Sequence, residues 1–161
     1  MAAVNLSARQ TLLAMAGLGI AGVVMALIGQ YGFDMRPCPW CILQRLTFVV
    51  IALLCLVGAA VPVRRPVAGL VIVLALLGSA AALYQHFVAA KSASCNLTFA
   101  DKIISALKLE DLMPSLFQIT GSCADAAVSV LGVPFEFWSL ALFTVLAIAA
   151  MSVLFGRRSK R

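Results

Sequence analysis

Two of the five cysteines lie three residues apart, where a short polar turn leads into a long apolar run. They form the segment Cys38-Pro39-Trp40-Cys41, and Arg45 follows Cys41 by four residues, which places its guanidinium on the same face of a helix. A thiol pair beside a positive charge at the mouth of an apolar helix is suited to moving electrons by thiol–disulfide exchange. The spacing therefore predicts a redox site at this end of the apolar run.

Two prolines flank Cys38 and predict where this helix begins. Proline is favoured at the first position of a helix and is penalised inside one. We therefore expect the helix to begin at Pro39, with Cys38 at or near its N-cap and Cys41 in its first turn. The free N–H groups and the positive end of the helix dipole would then favour thiolate over thiol.

Arg45 is expected inside the apolar zone, where a guanidinium is costly and needs a partner. One hypothesis is that its side chain returns to the lipid headgroups. The other is that it holds the polar head of a ligand beside Cys41. Gln85 and His86 end another apolar run at the same expected depth, so either is a candidate to contact that ligand. A single histidine at such a place is also often structural.

Cys95 and Cys123 lie 28 positions apart, near the two ends of the segment 89–135. A structural disulfide would account for this pair. It would not account for Cys38 and Cys41, because a Cys-x-x-Cys disulfide closes a small strained ring that stabilises a fold poorly. A four-cysteine zinc site is a second alternative, yet Cys95 and Cys123 lack compact ligand spacing, and we expect no metal. Cys55, inside an apolar run, is expected to pack as a small apolar residue. Thiol–disulfide exchange is the hypothesis that uses both pairs, and a non-catalytic four-helix scaffold with a structural loop disulfide is the alternative.

The composition defines the environment in which these cysteines are placed. The chain has 161 residues, of which 63% are hydrophobic and only 11% charged, so we expect one integral membrane domain covering 1–161. The net charge of +6 comes from scattered basic residues with no interleaved aromatic residues, which argues against a nucleic-acid partner.

Four apolar runs are long enough, or nearly so, to cross the roughly 30 Å apolar layer of a bilayer. Each is expected to be helical, because lipid offers no partner for unpaired backbone groups. The spans are predicted at about 11–29, 42–61, 67–88 and 136–155, with outer loops at about 30–41 and 89–135. A single basic residue precedes the first run, which has no small-x-small site at its outer end, so we expect it to be kept rather than cleaved.

The charges predict the orientation of this all-α, four-helix transmembrane bundle. One side, which holds both termini, carries seven Lys or Arg and no acid, and the other carries five basic residues and all six acids. The seven are Arg9, Arg64, Arg65, Arg157, Arg158, Lys160 and Arg161. By the positive-inside rule both termini are expected to be cytoplasmic. Four of the five cysteines then lie on the opposite side or at its membrane edge: Cys38, Cys41, Cys95 and Cys123.

The long outer loop has its own helical pattern. Phe99, Ile103, Ile104 and Leu107 repeat at helical spacing with charged residues between them. This pattern predicts a short amphipathic helix on the membrane surface, ending near Pro114.

Taken together, these residues resemble the DsbB family of quinone-dependent, disulfide-generating bacterial membrane proteins. The resemblance covers essentially the whole chain: four spans, a Cys-x-x-Cys followed by Arg at the start of the second, and a cysteine pair in the loop between the third and fourth. The vitamin K epoxide reductase-like family also has a small helical bundle with two cysteine pairs. Its Cys-x-x-Cys follows the loop pair in chain order, whereas here it comes first, which favours DsbB.

The resemblance implies a role for each cysteine. Cys95 would be attacked by the thiolate of a reduced DsbA-like thiol oxidase, and the reduced Cys95 and Cys123 would be reoxidised by exchange between Cys123 and Cys38. Cys41 would then pass electrons to a quinone, either ubiquinone or menaquinone, with Arg45 holding a quinone oxygen.

The resemblance also implies where the protein works. It would be a multi-pass protein of the bacterial inner membrane with its redox loops on the periplasmic side. Its partners would be a periplasmic DsbA-like thiol oxidase, the membrane quinone pool and the lipid bilayer, and we expect it to act as a monomer.

Overall fold

Four long helices carry most of the described chain. The structure, a computed structural model, describes residues 7–91 and 99–156, so Cys95 and the basic residues from 157 onward lie outside the described part. The long helices are α1 (Ala8–Gly32), α2 (Pro39–Ala60), α3 (Arg64–Phe87) and α7 (Phe135–Phe155). All four are long and apolar enough to cross a membrane, which confirms the predicted four-helix transmembrane bundle.

Local sequence signals explain where these helices begin. Ser7 and Gln10 form a capping box at the start of α1, in which each side chain bonds the other residue's backbone N–H. The predicted start of α2 is confirmed, with Cys38 as N-cap and Pro39 at the first helical position. Both helices extend past the apolar runs, so α1 and α2 each begin three residues before the predicted spans at 11 and 42.

The four helices pack in a ring that follows chain order, since α1 contacts α2, α2 contacts α3, α3 contacts α7 and α7 contacts α1. The rings of Phe48 and Phe143 stack at the centre with centroids 4.1 Å apart. Phe143 also lies directly against Gly78, because only a residue without a side chain admits its ring there. Cys55 is fully buried in this core, which confirms its predicted packing role.

The outward faces of the helices are apolar. Large side chains such as Leu53, Leu70, Leu77 and Ile148 are more than half exposed. A continuous apolar exterior of this kind is what contact with lipid acyl chains requires. The protein is therefore a multi-pass membrane protein.

Residues 99–134 of the loop between α3 and α7 contain three short α-helices in place of the one predicted, and a 3-10 turn at Ala89–Lys91 precedes them. They are α4 (Phe99–Ala106), α5 (Leu109–Leu112) and α6 (Pro114–Phe117). The predicted end near Pro114 is wrong, because Lys108 adopts a left-handed φ of 49° that ends the first helix, while Pro114 begins α6. Buried Ile104 packs with Ile42 of α2, so α4 rests on the bundle through one face.

A tight hairpin returns the loop to the bundle. Strands β1 (Ser129–Val130) and β2 (Val133–Pro134) pair antiparallel through a two-residue turn. Leu131 and Gly132 both have positive φ, as a type I′ turn demands. The hairpin feeds directly into α7 and places the start of that helix beside the outer ends of α1 and α2.

Candidate active site

The start of α2 holds Cys38 and Cys41 together. Cys38 has extended backbone angles at the N-cap, and its Sγ accepts the backbone N–H of Cys41 at 3.3 Å. The two sulfur atoms lie 2.8 Å apart. Because the rest of α2 fixes Cys41, the helix start presents the pair as a preformed unit that can close a disulfide with little backbone movement.

Cys123 reaches this unit from the long loop. Cys41 and Cys123 both pack against the buried cluster that contains Cys38, and Cys38 and Cys123 shift each other's pKa, so Cys38 adjoins both. The backbone N–H groups of Thr120 and Gly121 both donate to the Pro37 carbonyl at 3.2 Å, one residue before Cys38. These two bonds hold the loop beside the start of α2, and Cys38 is the sulfur at which the two regions meet.

The three sulfur atoms affect one another's protonation. Contacts with Cys123 and Cys41, together with burial, raise the pKa of Cys38 far above that of an ordinary thiol. The helix end alone would favour a Cys38 thiolate, and these neighbours act on its pKa in the opposite direction. The hydrogen bond from Cys38 lowers the pKa of Cys123, which makes Cys123 the better thiolate of these two.

Cys41 is held from the other side by two buried amides. Gln85 of α3 donates from Nε2 to Cys41 Sγ at 3.3 Å. Gln44, one turn after Cys41, donates from Nε2 to Gln85 Oε1 at 2.7 Å, which fixes the orientation of the Gln85 amide. The sulfur of Cys41 therefore accepts a hydrogen bond whose donor is itself locked in place.

Arg45 is only 4% exposed and does not return to the headgroups. Its Nη1 donates to Gln30 Oε1 of α1 at 2.9 Å and to the Leu116 carbonyl of α6 at 2.6 Å. Its Nε has no hydrogen-bond partner among residues 7–91 and 99–156. The guanidinium thus connects α1 with α6, and its buried Nε–H remains available as a donor.

A cavity of about 740 Å³ opens beside Cys41, between α1, α2 and the start of α7. Its wall is mainly apolar, and cavities of this size and character hold small organic molecules. The polar residues along it include Gln30, Cys41, Gln44, Arg45, Gln85 and Glu136. Of the residues predicted to contact a ligand, Arg45, Cys41 and Gln85 line this cavity.

His86 does not line the cavity but contacts a residue that does. Its Nδ1 lies 2.6 Å from Oε1 of Glu136, in the first turn of α7. Glu136 is 3% exposed, and its Oε2 has no partner in the described part of the chain. Sequence reasoning missed Glu136, although a carboxylate at the start of an apolar span is a signal of function.

Comparison with known proteins gives one consistent result. A sequence model of the DsbB family, described as Disulfide bond formation protein DsbB, matches residues 8–153. Disulfide bond formation protein B 1 of Pseudomonas syringae pv. syringae (strain B728a) is 36% identical over 152 residues, covering 89% of each chain.

Two further relatives carry the name Disulfide bond formation protein B. The protein of Aromatoleum aromaticum (strain DSM 19018 / LMG 30748 / EbN1) is 34% identical, over 88% of this chain and 92% of its own length. That of Herminiimonas arsenicoxydans is 29% identical, over 95% and 99%. The resemblance drawn from the cysteine pattern is confirmed. This chain belongs to the DsbB family of disulfide bond formation proteins.

Proposed function

We propose that this disulfide bond formation protein is a membrane thiol:quinone oxidoreductase. It reoxidises a DsbA-like thiol oxidase and passes the electrons to membrane quinone, so that disulfides are generated de novo. The observation that carries the proposal is the position of Cys38. Its sulfur contacts Cys123 of the outer loop on one side and Cys41, which lines the apolar cavity, on the other.

The outer half of the reaction uses Cys95 and Cys123 as a disulfide. The thiolate of the reduced partner attacks Cys95, and Cys123 leaves as a thiolate. The partner's second thiol then attacks the mixed disulfide, which releases Cys95 and leaves the partner oxidised. The lowered pKa of Cys123 supports its role as leaving group, because thiols of lower pKa leave faster. The role of Cys95 rests on the family resemblance.

The inner half begins when the Cys123 thiolate attacks Cys38 in a Cys38–Cys41 disulfide. Cys41 leaves as a thiolate, and Cys95 then attacks Cys123, which closes the loop disulfide and releases Cys38. The electron pair taken from the partner now resides on Cys38 and Cys41. The packing of Cys123 against the cluster that contains Cys38 supports this exchange, because the two side chains already lie close together.

The cavity residues fit a quinone. The apolar wall of the cavity suits the ring and hydrocarbon tail of a quinone, and buried N–H groups suit its carbonyl oxygens. The unused Nε of Arg45 is such a donor, and Gln85 lies on the same wall. When bound, a quinone accepts two electrons and two protons. Arg45 would hold its polar head, Gln85 would orient Cys41, and His86 would act through its contact with Glu136.

The energetics support a quinone as acceptor. DsbA-like proteins are strong oxidants with potentials of about −120 mV, and for a two-electron couple each 30 mV corresponds to about 1.4 kcal/mol. An acceptor of higher potential is needed to regenerate them, and membrane quinones meet that need. The basic residues on the side of the termini support an inner-membrane orientation with the cysteines facing the periplasm.

The test is quinone reduction by purified protein supplied with a reduced DsbA-like substrate, followed by quinone absorbance with ubiquinone and with menaquinone. We expect turnover by the wild type, none by Cys41→Ser, and wild-type rates for Cys55→Ala, which removes a thiol from the core only. Thiol trapping provides a second measurement, since cysteines that cycle with quinone and partner mark an enzyme. Full turnover by Cys41→Ser, or cysteines that stay fixed as in a scaffold, would contradict the proposal.

A further inference from the structure

Glu136 is the buried acid of the cavity wall. It lies in the first turn of α7, is 3% exposed, and borders the same cavity as Cys41, Arg45 and Gln85. Burying a carboxyl group is unfavourable unless its oxygens are satisfied. One oxygen bonds His86, but Oε2 has no partner among the residues that the structure describes. The protein thus keeps a carboxyl oxygen unsatisfied at the cavity.

His86 connects this carboxyl group to the outside. Its Nδ1 is 2.6 Å from Glu136 Oε1, and its side chain is 30% exposed. The Phe137 and Phe87 rings contact the imidazole with centroids 4.7 and 4.9 Å away, which holds the ring in place. A proton can therefore pass from water to the imidazole and from the imidazole to the carboxyl group over one short hydrogen bond.

We propose that Glu136 and His86 form a proton path that supplies the cavity during quinone reduction. Glu136 is the proton donor at the cavity and His86 is the residue that recharges it. The inference rests on the proposed function and assigns to the described chain a step that the cysteines do not perform. Electrons reach the cavity through the sulfur atoms of α2, whereas protons arrive through His86 of α3 and Glu136 of α7.

The proton balance fits two passes along this path. Glu136 as carboxylic acid gives its proton to the acceptor and becomes a carboxylate. His86 as imidazolium returns a proton from Nδ1 and is reprotonated by water. A second pass delivers the second proton, matching the two electrons that leave Cys38 and Cys41 as their disulfide forms. The two protons lost by the partner's thiols are released to water outside, so none is gained or lost overall.

Few other titratable groups surround the path. From α2 and the turn before it, Cys41, Arg45 and Arg36 share the cavity wall with Glu136, whereas α1 and the segment 126–131 contribute none among the lining residues. Lys91 lies 6.0 Å from the centroid of the Phe87 ring, beyond His86.

Glu136→Gln is the decisive variant, because glutamine keeps the size and can bond His86 but cannot carry a proton. We expect quinone reduction to slow by about 10²-fold or more, as for loss of a general acid, and its pH profile to change. Single-turnover oxidation of the partner by oxidised protein without quinone should stay within twofold of wild type. Asp34→Asn, which removes an exposed carboxylate that does not line the cavity, should leave both unchanged.

Infrared difference spectroscopy adds a readout independent of turnover. Following quinone reduction with time, we expect a transient change in a carboxyl C=O band that shifts in D2O and is absent from Glu136→Gln. If that variant does not fold, His86→Asn tests the same path, with slowed reduction and the carboxyl band retained. Wild-type rates and an unchanged pH profile in either variant overturn the inference alone. A wild-type protein that oxidises its partner yet reduces no quinone overturns the proposed function and this inference with it.

Discussion

Cys41 and Cys123 both contact Cys38, yet they are held in different ways. Cys41 belongs to a long helix and bonds Gln85, whose amide is fixed by Gln44. Cys123 belongs to a loop that is joined to the start of α2 by two backbone hydrogen bonds to Pro37. In the inner region, formed by Cys41 and its amide partners, side chains of two helices fix the sulfur. In the outer region, the loop around Cys123, backbone bonds position the sulfur. This difference fits the proposed roles of a cysteine that faces a small ligand and a loop that accepts a protein.

Removal of Cys38, which adjoins both Cys41 and Cys123, should have the largest effect. Cys38→Ala should lower partner-dependent quinone reduction by about 10⁴-fold or more, the scale on which loss of a nucleophile acts. The loop cysteines should still form a mixed disulfide with the partner, which thiol trapping would detect. Cys55→Ala is the control, and appreciable turnover by Cys38→Ala would show that electrons bypass this sulfur.

Arg45 tests the inner region. Arg45→Ala removes a buried guanidinium, and since a hydrogen bond to a charged group contributes about 1.5–3 kcal/mol, the quinone concentration for half-maximal rate should rise about 10–100-fold. Partner oxidation in a single turnover without quinone should change far less. Arg65→Ala is a matched control, because Arg65 bonds Gly156 at the other end of the bundle. An unchanged quinone requirement would remove Arg45 from the binding site.

Gly121 tests the outer region. A Cβ at this position would lie 2.7 Å from Arg36 Cβ and 3.0 Å from the Arg36 carbonyl oxygen, so Gly121→Ala must push the loop away from α2. We expect exchange between Cys123 and Cys38 to slow by roughly 10-fold, since small misplacements of reacting groups reduce rates strongly. Gly69→Ala, with open space around its Cβ, is the control. Rapid-quench thiol trapping measures the step, and an unaltered rate would mean that the loop is positioned elsewhere.

The smallest effect concerns the protonation of Cys123. Its pKa is lowered by the hydrogen bond from Cys38, so Cys38→Ala should raise that pKa and reduce the thiolate fraction near neutral pH. The pH midpoint of Cys123 alkylation, followed by mass spectrometry, should therefore move upward. Cys38→Ser keeps a hydroxyl donor and should stay closer to wild type. A midpoint that does not move in the alanine variant would show that Cys38 does not stabilise this thiolate.

Much of the fold follows from the sequence because lipid permits few structures. Four apolar runs had to be helices, and Pro39 fixed the start of α2 through its ring geometry. The loop was harder to predict, since its helical pattern continues through Lys108 while the backbone there turns left-handed. Nothing in the spacing of Phe99, Ile103 and Leu107 shows that break.

The site was predictable where it depends on local spacing and less so where it depends on packing between helices. Cys38, Cys41 and Arg45 follow one another on α2, so their proximity could be read directly. The partners of Arg45, Gln30 and the Leu116 carbonyl, come from distant parts of the chain and carry no sequence signal. In the sequence Glu136 is one of six acids on the outer side, and its pairing with His86 depends on how α3 and α7 meet.

The contact between Gly78 and Phe143 has a consequence at the outer end of the same two helices. His86 lies eight residues beyond Gly78 and Glu136 seven residues before Phe143, so along antiparallel helices they rise about 12 and 10.5 Å from that contact. A slip of one residue would change their relative height by about 1.5 Å and rotate one of them by about 100°. The contact between Gly78 and Phe143 therefore sets the register of α3 against α7. This register determines whether Glu136 and His86 can form their hydrogen bond.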